Sequence, residues 1–134
     1  MSRPRTLCSV AEHIRDGVPE SVAIPEFMDE FIAVTSRDAR LAMMMEEPPF
    51  IGMPRIDALL GAIAEYLAKQ NRLAMVPPWA GHAGRCLEEP WFTTDIDSPG
   101  MKEYLAWASP AEFRHHNIFT AEVPLRRAGS REGA

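Results

Sequence analysis

Proline content is the feature that most limits how this chain can fold. Twelve of its 134 residues are proline, nearly twice the average of about 5%. Proline lacks a backbone N–H and clashes with the preceding helical turn, so the chain must be divided into short elements. Prolines suited to first-turn helix positions are Pro25, Pro99 and Pro110, and those that mark helix ends or a loop are Pro48, Pro49, Pro77, Pro78 and Pro90. We therefore expect several short helices joined by turns.

Apolar side chains recur at helical spacing near the N-terminus. The first stripe follows Thr6, a suitable N-cap, and ends before Gly17. The second stripe has Pro25 at its first helical position. The apolar members are Leu7, Val10, Ala11 and Ile14 in the first stripe and Ile24, Phe27, Met28, Phe31 and Ile32 in the second. These stripes predict two amphipathic helices.

Two further helices are predicted in the first half of the chain. The third runs from Ser36 to about Glu46 and begins with a capping box of Thr35 and Asp38, in which Asp replaces the usual Glu. The fourth runs from about Pro54 to Asn71, carries a continuous apolar face and is rich in alanine, which favours helix. We expect this fourth helix to form the centre of the core.

The helical pattern disappears from Val76 to Pro99, where prolines and glycines signal turns. A connection of this length is uncommon in a compact domain unless it is packed or functional. Trp79, Trp91 and Phe92 lie within it, and mobile surface loops rarely carry three large rings. We expect these aromatic side chains to anchor the loop to the helices.

Helical signals return after the loop. Ser98 can cap a helix that ends near Ala108, and Ser109 with Glu112 forms a full capping box for a short helix that follows. The segment that contains Ile118 and Phe119 is expected to return to the core in an extended conformation. These signals complete a series of five or six short helices.

No run of alternating β-branched residues occurs, so the predicted fold is all-α. Hydrophobic residues make up 46% and charged residues 25% of the chain, as in ordinary globular proteins. We expect one compact helical domain over residues 1–134, with a long Trp-anchored loop. Residues 1–5 and 127–134 lack apolar periodicity and are expected to be flexible.

The charge balance argues against nucleic-acid binding by this chain alone. Nineteen acidic and fourteen basic residues give a net charge of −5, whereas binding to phosphates requires a basic face. Arg3 and Arg5 precede no apolar run long enough for a signal peptide, and no stretch is suited to span a bilayer. Cys8 and Cys86 are too few for a disulfide scaffold. These features predict a cytoplasmic protein that does not bind membranes.

Four residues are candidates for a metal or catalytic site: His82, Cys86, His115 and His116. Zinc sites normally show two tight ligand pairs, and this set offers only the spacing from His82 to Cys86. No G-x-S-x-G elbow or glycine-rich phosphate loop occurs, and the serines are explained as helix caps. We therefore expect no catalytic residue and no cofactor. A small enzyme or metal-binding protein that uses these four residues is the alternative.

The methionines and aromatic residues favour partner binding. Met43, Met44 and Met45 occupy consecutive positions and cannot all face one core, so at least one is expected at the surface or an interface. The loop aromatics, together with Trp107, either hold the loop to the helices or form an anchor cluster for a partner. The predicted partner-binding residues are Met43, Met44, Trp79, Trp91 and Phe92.

Six short motifs occur in the order typical of one protein family. They are PEFMDEF at residues 25–31, EEPP at 46–49, AEYLA at 64–68, EPWF at 89–92, SPAEFR at 109–114 and NIF at 117–119. Together they resemble a family of uncharacterised bacterial proteins encoded beside nucleotidyltransferase-like partners of toxin–antitoxin type. Some members resemble the part that follows a repressor helix-turn-helix. The resemblance covers most of residues 7–128.

The resemblance implies an antitoxin-like or adaptor role with no active site carried over. No DNA-binding domain precedes the shared part in this sequence, so a repressor role is not expected. The sequence thus predicts a non-enzymatic cytoplasmic interaction protein that binds a protein partner or a second copy of itself.

Overall fold

The computed structural model describes residues 3–121 and 124–125, and within them the all-α prediction is confirmed. Helix accounts for 58% of the structure and strand for 3%. The helices are α1 (Leu7–Arg15), α2 (Glu20–Ala33), α3 (Arg37–Met45), α4 (Pro54–Gln70), α5 (Pro99–Ala108) and α6 (Ala111–Arg114), and the strands are β1 (Trp91–Phe92) and β2 (Ile118–Phe119). Two 3₁₀ turns, Pro78–Gly81 and Ala83–Arg85, precede β1. The predicted flexible segment 127–134 lies outside the described residues.

Helix α1 forms as its sequence predicts. The Thr6 hydroxyl accepts a hydrogen bond from the Ser9 amide at 3.0 Å, which caps the helix. The predicted apolar stripe, Leu7, Val10, Ala11 and Ile14, is buried. Ahead of the helix, Pro4 is buried and the Arg3 guanidinium bonds to Asp29 of α2 at 3.2 Å. Residues 3–5 therefore lie against α2.

Two predicted helix starts are wrong. Helix α2 begins at Glu20 after the extended residue Pro19, so Pro25 lies inside the helix instead of at its first position. Pro25 cannot donate to the carbonyl of Ser21, but Ser21 is exposed, so water can donate a hydrogen bond to that carbonyl instead. At α3 the cap is Ser36, whose hydroxyl accepts from the Ala39 amide at 3.2 Å, and not Thr35.

Helix α4 is the centre of the core, as predicted. It packs against both 3₁₀ turns on one side and against α6 on another. Its buried residues include Ile56, Leu60, Ile63 and Leu67, together with four alanines that allow close approach. Near its start the Asp57 carboxylate accepts the Ile51 amide at 3.0 Å. This bond fixes the connection from α3.

The long loop is packed against the helices, as the aromatic residues predict. The Trp79 ring is buried and its indole N–H donates to the Met44 carbonyl at 2.8 Å. Strand β1 pairs in parallel with β2, so that Trp91 lies beside Ile118 and Phe92 beside Phe119. The segment after α6 is thus extended and joined to the loop.

The second predicted capping box does not form. Ser98 caps α5 as predicted, accepting from the Met101 amide at 3.2 Å. Ser109, in contrast, is buried, and its hydroxyl accepts from the Thr120 amide at 2.7 Å and lies beside the Leu105 carbonyl. Because this hydroxyl joins α5 to the chain after β2, α6 begins after Pro110 without a side-chain cap. None of the described helices is both long and apolar enough to cross a membrane.

Candidate interaction surface

The structure divides the predicted partner-binding residues between core and surface. Met44 is 0% exposed and Trp79 only 8% exposed, and their mutual hydrogen bond lies inside the protein. Neither side chain can contact a partner in this fold, because both are buried. Met43 is half-buried, and Met45 is exposed. One of the three consecutive methionines therefore reaches the surface, as their spacing predicts.

Trp91 and Phe92 lie at the edge of the surface. Both are half-buried, and each has a cation above its ring: the Arg55 guanidinium is 5.1 Å from the centre of Trp91 and the Lys102 ammonium 5.8 Å from that of Phe92. The Phe92 ring also stacks on Phe119 at 4.9 Å. These contacts hold both rings in place while part of each stays accessible.

The most exposed aromatic side chain of the described residues is Trp107 on α5. It is 78% exposed, and Tyr104, one turn earlier on the same helix, is 49% exposed. These two residues line a shallow depression with Gly100 and Glu103. The sequence grouped Trp107 with the loop aromatics but did not single it out. Its exposure follows from the packing of α5, in which Leu105 is the only buried residue.

The net negative charge of the chain is concentrated around these aromatics. Residues 87–113, which we call the acidic–aromatic segment, contain six acidic residues and one basic residue. The whole chain contains 19 acidic and 14 basic residues, so 13 of each sign remain outside the segment. The acidic residues are Glu88, Glu89, Asp95, Asp97, Glu103 and Glu112, and the basic residue is Lys102. The segment alone therefore accounts for the net charge of −5.

The four candidate metal ligands do not form one site. The His82 ring accepts the Gly84 amide at 2.9 Å, which caps the second 3₁₀ turn. The Cys86 thiol is exposed and lies 3.5 Å from the backbone carbonyl of His115. The rings of His115 and His116 instead contact a glutamate on α4. Among the described residues no group of three or more His, Cys, Asp and Glu side chains is placed to hold a metal ion.

Glu65 is the residue that sequence reasoning missed in this region. Its carboxylate lies 2.7 Å from His115 Nδ1, 3.0 Å from His116 Nε2 and 3.2 Å from Lys69 Nζ. Burial raises the pKa of Glu65, but hydrogen bonds from both histidines and Lys69 outweigh burial and hold it below its ordinary value of 4.5. Glu65 is therefore a partly buried anion that joins the end of α6 to α4.

Arg85 fixes the other end of the acidic–aromatic segment. Its side chain is 0% exposed and lies between the rings of Phe50, at 4.0 Å, and Trp79, at 5.1 Å. Its guanidinium donates to the carbonyls of Asp57 and Pro48. These acceptors, the ring faces and the Glu47 carboxylate at 3.4 Å replace part of the hydration of this buried cation, whereas its Nε has no hydrogen-bond partner among the described residues.

The chain matches no protein-family model, no curated protein and no solved structure. Its function is therefore inferred from the placement of its own residues. Exposed aromatic rings on a fixed, acidic segment are suited to contact with another macromolecule.

Proposed function

We propose that this chain is a non-enzymatic, antitoxin-like interaction protein that binds a protein partner through the acidic–aromatic segment. The observation that carries the proposal is Trp107, 78% exposed on the segment that holds the whole net charge. Tryptophan is strongly enriched among the residues that dominate interface energies, because its large ring loses much water contact when it is covered.

The chemistry of the segment specifies the partner. The segment contains six acidic residues and one basic residue, five of the acidic ones exposed, and is complementary to a basic surface. Trp107 and Tyr104 add the requirement for an apolar pocket within that surface. The partner is therefore a protein with an apolar pocket surrounded by lysine and arginine.

The backbone that presents these side chains is already ordered. Ser98 caps α5, Ser109 ties its end to Thr120, and β1 is paired with β2. Binding through a surface that is ordered beforehand costs less conformational entropy than binding through a flexible loop. The resemblance seen in the sequence supports the antitoxin-like part of the proposal and a location in the bacterial cytoplasm.

Affinity capture with matched variants tests the proposal. The immobilised chain, its Trp107→Ala variant and a Met75→Ala control are each exposed to a bacterial lysate, and captured proteins are identified and quantified. Met75 is 43% exposed and lies outside the segment, so its loss controls for the removal of an exposed apolar side chain.

The expected result is one basic protein that the unchanged chain and Met75→Ala retain and Trp107→Ala loses. Capture that is equal for all three chains contradicts the proposal, and so does the absence of any retained basic protein. Light scattering could instead show a concentration-dependent dimer that Trp107→Ala abolishes. The partner would then be a second copy of this chain, and the proposal of a basic partner would be overturned.

A further inference from the structure

The two ends of the acidic–aromatic segment lie side by side. The Leu87 amide donates to the His116 carbonyl at 3.2 Å, and the Asn117 side-chain amide donates to the Leu87 carbonyl at 3.1 Å. The Trp91 amide follows with a bond to the Asn117 carbonyl at 3.0 Å. The segment is therefore a loop that contains α5 and whose two ends are joined by these hydrogen bonds of Leu87, Trp91, His116 and Asn117, which we call the neck.

His116 lies at this neck between two hydrogen-bond acceptors. Its ring belongs to a residue that is only 4% exposed. Nδ1 faces the backbone carbonyl of Arg85, and Nε2 faces Glu65 Oε1 at 3.0 Å. A carbonyl oxygen cannot donate, and neutral imidazole carries a single N–H. A neutral ring would therefore place one nitrogen lone pair against an oxygen in a buried site.

The ionised state of Glu65 excludes the alternative in which its carboxylic acid donates to His116 Nε2. A neutral carboxylic acid could donate to Nε2, but the carboxylate also accepts from His115 and Lys69, and the pKa of Glu65 lies below its ordinary value. Near neutral pH Glu65 is an anion and only accepts. Both ring nitrogens of His116 are then satisfied only when both carry protons.

We propose that His116 is held as an imidazolium between the Arg85 carbonyl and the Glu65 carboxylate, and that loss of its proton opens the neck of the acidic–aromatic segment. We call this arrangement the His116 clasp. It concerns the chain alone and stands whether or not the proposed partner exists. Since the bonds need the extra proton, the segment is tightly closed at lower pH and loosens as the pH rises.

Charged groups from each element packed against the ring surround His116. From α4, Glu65 faces the ring directly and Lys69 contacts the same carboxylate. From the 3₁₀ turn, Arg85 presents its carbonyl, while its guanidinium turns away toward Pro48 and Glu47. On the adjacent turn, His115 donates to the second Glu65 oxygen, and the neighbouring Arg114 is exposed. Gly61 leaves room for the ring, since a Cβ there would lie 2.9 Å from His116 Cε1.

Nitrogen NMR of the unchanged protein tests the clasp without a substitution. Imidazole nitrogen shifts of His116 are followed between about pH 5 and pH 8, the range in which histidine changes its charge. The expected result is the pattern of two protonated nitrogens in the His116 ring. A single protonated nitrogen throughout this range would overturn the proposal.

Hydrogen exchange then tests the link to the neck. Protection of the Leu87 and Trp91 amides, corrected for intrinsic exchange, should fall as pH rises through the titration of His116. In His116→Asn, which can donate to only one of the two acceptors, protection should be lower by roughly ten- to a hundredfold and independent of this titration. His115→Asn is the matched control and should keep the pH response. A response that survives in His116→Asn, or is absent from the unchanged protein, contradicts the clasp.

Discussion

Glu65, His116, Arg85 and Gly61 meet at one point of the core, where α4 receives both ends of the acidic–aromatic segment. The partly buried Glu65 carboxylate contacts two histidines and Lys69, and the buried Arg85 guanidinium contacts backbone carbonyls and two aromatic rings. Removal of one partner from such a network leaves a buried charge uncompensated, which costs more than the net gain from the pair. At the residue scale the stability of the segment therefore depends on a few groups that are far apart in sequence.

Gly61 should not tolerate alanine. An added Cβ would lie 2.9 Å from His116 Cε1 and 3.0 Å from Arg85 Cβ, so the buried side chains must shift. We expect Gly61→Ala to lower the free energy of unfolding by about 1–3 kcal/mol, as other overpacked cores do. Gly100→Ala on α5 is the matched control, because no atom lies within 4 Å of the added Cβ there. Urea unfolding of both variants measures the difference, and equal midpoints would refute the close packing at Gly61.

Acid should weaken the fold through Glu65. Its pKa in the folded protein lies below the ordinary value of 4.5, so its stabilising contribution is complete above that value and is lost as pH falls through the folded one. Urea unfolding between about pH 3 and pH 6 should therefore show a smaller loss of stability for Glu65→Gln than for the unchanged chain. The exposed Glu103→Gln serves as control and should keep the original slope. A Glu65→Gln profile parallel to that of the unchanged chain would exclude this role.

At the scale of elements, local signals predicted what local interactions decide. Helix α1 follows from its apolar stripe and the Thr6 cap, and α5 from Ser98 and the proline after it. The capping box at Ser109 does not form because its hydroxyl accepts from the Thr120 amide, eleven residues later, instead of from an amide of the helix that follows. A distant partner of this kind leaves no local pattern.

The same reason explains what could be predicted of the site. The aromatic residues of the loop predict that it packs against the helices, and the burial of Trp79 agrees with this prediction. Glu65 and His116 are separated by 51 residues, and Arg85 and Asp57 by 28. Neither pair has a spacing that a helix or strand imposes, so only the fold shows that they meet. The burial of Met44 and Trp79 instead of Trp107 likewise depends on which face each helix turns to the core.

Ser109→Ala should separate α5 from the chain after β2. The substitution leaves the buried Thr120 amide without the acceptor that lies 2.7 Å away, and an unsatisfied buried donor costs about 1–3 kcal/mol. Ser98→Ala removes only an N-cap and should cost about 1 kcal/mol. Hydrogen exchange distinguishes the two, because Ser109→Ala should deprotect the Thr120 and Thr93 amides whereas Ser98→Ala should affect the first turn of α5. Protection of Thr120 that is unchanged in Ser109→Ala would contradict the tie.

At the scale of the whole molecule, charge is segregated. The acidic–aromatic segment carries a net charge of −5 and the rest of the chain is balanced. Such a field accelerates encounter with a basic surface and is screened by salt, with a Debye length of about 10 Å at 0.1 M ionic strength. The aromatic rings supply the short-range contact once the surfaces meet.

Association with the captured partner should therefore slow when the segment is neutralised. Asp95→Asn, Asp97→Asn and Glu103→Gln together remove three exposed charges, and we expect an association rate at least about tenfold lower at low salt, with a weaker salt dependence. The control removes the same charge elsewhere, through Glu12→Gln, Glu20→Gln and Asp38→Asn, which are also exposed. Stopped-flow mixing measures both, and equal rates for the two triple variants would show that the position of the charge is irrelevant.

Calorimetric titration of the captured basic protein into the unchanged chain and into Trp107→Ala tests the central claim most directly. If Trp107 anchors the interface, its truncation should raise Kd by roughly thirtyfold or more, the effect of losing a hot-spot side chain. Met75→Ala should leave Kd unchanged. A Trp107→Ala chain that binds within about twofold of the unchanged affinity, while Met75→Ala does the same, would contradict the assignment of the acidic–aromatic segment as the binding surface.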